Sequence, residues 1–133
     1  MDAVKVEPSV KSSGSVELKP VENATDTYIQ WLVDVRDGSE NIYLRRFVIK
    51  PGGEIPSHSH PDMEHVQYVL RGEYEVVLNG VVHRVKQGDA IFIPAKTVHS
   101  YRNTGKEEAE FLCIITSKPY STEWVREKQP SRC

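Results

Sequence analysis

With 133 residues the chain is long enough for one ordinary domain and too short for two sizeable cores. Its 17 Lys and Arg against 19 Asp and Glu are interspersed and sum to −2, which lacks the basic patch of a nucleic-acid binder, and no run approaches the ~18 apolar residues that span a bilayer. The start, Met1-Asp-Ala-Val-Lys-Val-Glu-Pro8, has no apolar signal-peptide core, so a cytoplasmic protein with neither nucleic-acid nor membrane partners is expected.

Val and Ile total 25, whereas Leu and Ala total 11. β-branched side chains fit a pleated sheet and crowd a helix, so strands are expected throughout. Residues 1–15 are small and polar and read as a flexible N-terminal tail. Residues 16–116 form the body, and residues 117–133, with Pro119, Pro130 and many charges, read as a C-terminal tail. In that tail Trp124 and Val125 are expected to dock a short helical turn. Within the body, short apolar runs are punctuated by seven of the eight glycines, the pattern of an all-β sandwich or barrel.

In chain order, Tyr28–Val35 is the first apolar strand candidate. Arg45 and Arg46 are neighbours in the next, so alternation sends one inward and one outward. An inward arginine would suit a substrate carboxylate; a surface ion pair is the plainer role. Then comes Pro51-Gly-Gly-Glu-Ile-Pro-Ser-His58-Ser-His60-Pro-Asp-Met-Glu-His65, which carries three of the five histidines within eight residues. Residues two apart on a strand share a face, so His58 and His60 present two imidazoles side by side. His65 opens the following run and can return to the same point. Converging imidazoles suit Zn, Cu, Fe or Ni and do not suit Mg or Ca, which prefer oxygen.

Tyr74–Leu78 and Val81–Val85 flank Asn79-Gly80, a pair suited to the positive φ angles of a type I′ hairpin. His83 lies on the second arm and reads as an ordinary strand residue. Ala90–Ile93 reads as a buried strand. His99, Tyr101 and Asn103 share one inward face, and His65, Gln67 and Val69 share another. Glu110–Thr116 reads as the last core strand, with either Phe111, Cys113 and Ile115 or Leu112, Ile114 and Thr116 lining the interior. Cys113 is expected as a small core residue. Cys113 and Cys133 are not at metal-site spacing and suggest no disulfide framework.

Two segments resemble the signature motifs of the cupin superfamily. In the first, Gly52 is followed by five residues, then His58 and His60, then His65 after four more and Gly72 after a further six. In the second, Gly88, Pro94, His99 and Asn103 match in register. The chain departs from the family at Lys96, where glycine is usual, and at His65, where glutamate is usual; Glu64 stands one position earlier and is the competing ligand. The resemblance is to small, single-domain metal cupins of the cupin 2 type with a four-histidine site. It implies a double-stranded β-helix (jelly-roll) barrel and one divalent transition metal per subunit, whether Mn, Fe, Cu, Ni or Zn. The implied ligands are His58, His60, His65 and His99. It also implies a homodimer in which Tyr28–Val35 pairs across the interface.

Candidate catalytic residues are Tyr101, Gln67 and Arg45. Four neutral imidazoles leave a divalent charge uncompensated, which favours anionic or enolate-like ligands and leaves room for a small-molecule substrate. The resemblance implies an oxidoreductase of dioxygenase type acting on a small organic molecule. An isomerase or lyase acting on a sugar or sugar acid, and a non-catalytic small-molecule binder, are the alternatives.

Overall fold

A computed structural model describes residues 6–125. Cys133 and the outer parts of both tails lie outside the described residues. The fold is a curled antiparallel sheet of ten strands. In chain order these are β1 (Lys19–Pro20), β2 (Thr25–Val33), β3 (Ile42–Ser59), β4 (His65–Arg71), β5 (Glu73–Leu78), β6 (Val81–Lys86), β7 (Ala90–Ile93), β8 (His99–Arg102), β9 (Ala109–Thr116) and β10 (Glu123–Trp124). Two single 3-10 turns, Ser13–Ser15 and Val35–Asp37, are the helical elements among the described residues. No helix there is long and apolar enough to cross a membrane.

The curl comes from β3, which is 18 residues long and serves two parts of the sheet. Its first half, Ile42–Ile49, pairs with β9 on one side and β2 on the other. Its second half pairs with β8 and β10. Gly52 and Gly53 sit between the halves. Gly52 has φ +81°, and a Cβ on Gly53 would stand 2.7 Å from the Asp26 carbonyl oxygen. Larger residues would push the chain out of this bend. The strand order β6-β5-β8-β3-β9-β4-β7 then rolls into a double-stranded β-helix of jelly-roll type. The Asn79-Gly80 hairpin forms as expected, with φ of 49° and 81°.

Alternation places the core. Phe111, Cys113 and Ile115 of β9 point inward with Ile49, Val69, Tyr74 and Val76, while Ile114 is exposed. Two expectations are corrected. Ala90–Ile93 is buried on one face only: Ile91 and Ile93 point inward and Phe92 is exposed, because alternation along β7 turns its other face outward. Trp124 docks as strand β10 against β3 and not as a helical turn, because Val125 N–H finds the Ser57 carbonyl. Within the chain, β2 pairs with β3 along most of its length and with β1 at Tyr28 and Ile29.

Candidate metal centre

His58 sits near the end of β3, beyond a register shift at Ile55, where it faces His99, the first residue of β8. His60 follows immediately after β3, and His65 opens β4 after the Pro61-Asp62 turn. The Lys96 N–H donates to the His60 carbonyl at 2.8 Å, tying the two motif loops together. Ligand atoms of His58, His60 and His99 lie within 4.8 Å of one another. His65 is outside that set of three but adjoins it, its ring centroid 5.0 Å from His60 and 5.2 Å from His99.

The ring nitrogens are oriented by the backbone. Nδ1–H of His58 donates to the Pro56 carbonyl at 2.8 Å, that of His60 to Ser121 at 3.0 Å and that of His99 to Thr97 at 2.8 Å. Each bond fixes the tautomer that leaves a lone pair on Nε2. Burial keeps these rings neutral. It pushes His58 down to about 4, His99 to about 3 and His65 to about 2, and it lowers His60. Nε2 of His99 and both nitrogens of His65 are buried without a hydrogen-bond partner. Buried polar atoms normally have partners, and neutral, aimed imidazole nitrogens are the donor set of a transition-metal site. The residues therefore fit a metal ion.

The other candidates are placed as follows. Glu64 is exposed, while His65 is only 3% exposed. His83 is exposed on β6. Tyr101 and Gln67 are buried together, Gln67 Nε2 donating to the Tyr101 hydroxyl at 2.8 Å. Burial raises the Tyr101 pKa, so the hydroxyl keeps its proton. Arg45 points inward, between the rings of Trp31 and Phe47, and donates to Cys113 Sγ at 3.1 Å. Arg46 takes the outer side, against Glu110 and Gln30. Asn103 is a turn clamp, donating to the carbonyls of Ile49 and Glu107.

His58, His60, His65, His99, Arg45, Gln67 and Tyr101 line a cavity of about 310 Å³. Its wall includes residues that sequence reasoning assigned no site role: Trp31, Tyr120, Thr122 and Trp124. Trp124 stands 4.9 Å from the His58 ring and Tyr120 5.6 Å from His60. The two aromatics in an otherwise polar tail were the available signal.

Curated relatives include Protein SchB of Streptomyces halstedii, 36% identical over 75 residues, which cover 56% of this chain and 54% of that protein. Polyketide synthase CurC of Streptomyces cyaneus is 28% identical over 112 residues, covering 84% of this chain and 65% of that protein. The chain thus spans between about half and two thirds of the length of these relatives. Among solved structures, the polyketide cyclase RemF from Streptomyces resistomycificus superposes with a TM-score of 0.86 at 28% identity, covering 92% of this chain and 89% of that one. The family described as Cupin domain matches residues 45–115, from the inward arginine to the last core strand, and the chain belongs to the cupin family.

Proposed function

We propose that the protein is a metal-dependent cupin enzyme that closes a carbon–carbon bond in a small β-polycarbonyl substrate without net redox change. The observation that carries the reading is the cluster of neutral imidazoles, with lone pairs turned inward, at an aromatic-walled cavity of about 310 Å³. The similarity to a polyketide cyclase along 92% of the chain supports it. His58, His60 and His99 would hold the ion, with His65 as fourth ligand. Bound there, a divalent ion supplies Lewis acidity toward a carbonyl oxygen, undiluted by any ligand carboxylate.

The chain's own residues do the rest. Tyr101 accepts a hydrogen bond from Gln67, so its own proton is free to be donated. Burial holds that proton on the phenol at neutral pH. The enol carbon of the substrate adds to its own carbonyl carbon, the C=O π bond breaks and Tyr101 protonates that oxygen to a hydroxyl. The proton the enol gives up goes to solvent water, which returns one to Tyr101, so the closure is an isomerisation. Gln67 positions Tyr101. Trp31, Phe47, Tyr120 and Trp124 exclude water, and Tyr120 and Trp124 offer aromatic faces to a planar substrate.

The test is turnover of a linear aromatic-precursor triketone by zinc-loaded protein under air and under argon. Equal rates, lost on chelation and reduced about a hundredfold or more in Tyr101→Phe, are expected. Stoichiometric oxygen uptake would replace the cyclase reading with the dioxygenase one. Tight binding of the triketone with no product would replace it with a binding role.

A further inference from the structure

Among the described residues, Arg45 is a cation without a counter-ion. The residue is 8% exposed, and its Nε is buried with no hydrogen-bond partner. Among the described residues its one hydrogen-bonded neighbour is Cys113 Sγ, a weak acceptor. No carboxylate among the described residues is in ion-pair contact with it, whereas the adjacent Arg46 has Glu110. Glu22, the carboxylate on the cavity wall, is exposed. A buried guanidinium is ordinarily paired, because desolvation leaves its charge uncompensated. Trp31 and Phe47 hold the group between their rings, at 5.3 and 5.1 Å from their centroids, and thereby fix its position. The same cavity wall carries Arg45 and the imidazole cluster.

We infer that the cavity takes a substrate bearing a carboxylate, which Arg45 binds while the carbonyl end of the molecule sits at the imidazole cluster. The inference rests on the proposed function for the carbonyl end only. A carboxylate fits better than a phosphate, because one guanidinium matches one negative charge and, among the described residues, no other arginine or lysine lines the cavity. The missing counter-ion is then the substrate itself, and an analogue without it leaves a buried charge unpaired.

Two β-diketones of equal chain length separate the two ends: succinylacetone, which carries a carboxylate remote from its diketone, and butyrylacetone, which has a methyl group there. Dissociation constants are measured by calorimetry on zinc-loaded and chelator-stripped protein, for wild type, Arg45→Met and Arg45→Lys. Wild type is expected to prefer succinylacetone by about tenfold or more. Arg45→Met should erase that preference while keeping zinc content and butyrylacetone affinity, and Arg45→Lys should restore part of it. Equal affinities in wild type, or a preference that survives in Arg45→Met, overturn the inference. If Arg45→Met fails to fold, the wild-type comparison and Arg45→Lys decide. Arg45-dependent binding of succinylacetone to stripped protein, with no zinc-dependent binding of butyrylacetone, sustains the inference and removes the metal reading. Binding of neither probe removes both.

Discussion

Glu64 and His65 are adjacent and have opposite fates. Along β4 and its approach, Met63, His65, Gln67 and Val69 are buried, and Glu64, Val66 and Tyr68 are exposed. A one-residue step on a strand reverses the side chain, so the carboxylate common at this place in the family has no route inward. Glu64→Ala should therefore leave metal affinity unchanged. His65→Ala should lower it by about tenfold or more, read by chelator competition. Unchanged affinity in His65→Ala would show that His65 is no ligand. The depressed histidine pKa values carry a second prediction, for the metal-free protein. The unfolded chain takes up protons near 6.5, but folded His58 resists until about 4 and His99 until about 3, mainly through burial. Between those values the unfolded state binds more protons, so stability falls as pH falls. It is fully present above about 6.5 and declines progressively toward pH 4, by an amount on the order of a few kcal/mol. Urea midpoints at pH 7.5 and pH 5 measure this, and equal midpoints would mean that the rings are solvated.

At the scale of the element, the hairpins were legible because their signals are local. Asn79-Gly80 dictates its own turn, and His58 and His60 share a face by simple alternation. The histidine spacings, taken with the second motif, brought β3, β4 and β8 together on paper. Strand β10 was not legible. A two-residue strand has no periodicity, and its partners in β3 lie some 65 positions earlier in the chain. Yet it closes the site: Ser121 supplies the acceptor for His60 Nδ1, and Asp62 holds Ser121 N–H at 3.3 Å. The direction of Arg45 was also open, since an Arg-Arg pair alternates equally well in either phase. Its inward turn is set by Phe47 and Ile49, which share its face and fill the core. A chain ending at Lys118 should fold, because the curled sheet from β1 to β9 is intact. It should bind zinc about tenfold or more weakly, since His60 loses the bond that fixes its tautomer. Unchanged affinity in a chelator titration would make β10 a cover and not a part of the site.

At the scale of the whole molecule, the imidazoles come from strands that do not all touch. In the sheet β8 pairs with β3, but β9 separates β3 from β4. An ion held by His58 and His60 from the β3 end, His99 from β8 and His65 from β4 would join the two sides of the roll through its interior. Without an ion, His65 has two buried nitrogens and His99 one with no partner, a cost the folded state carries and the unfolded state does not. Binding would remove that cost and couple to folding, since the unfolded chain has no assembled site. Linkage sets the scale. An ion at a hundred times its dissociation constant adds about 2.7 kcal/mol, which for a domain of this size raises the melting temperature by about 10 °C. The rise should grow with the logarithm of free zinc, vanish with chelator, and be lost in His60→Ala, whose metal-free melting temperature should stay close to that of the stripped wild type. A melting temperature independent of zinc concentration would mean that the histidines are packed imidazoles and nothing more.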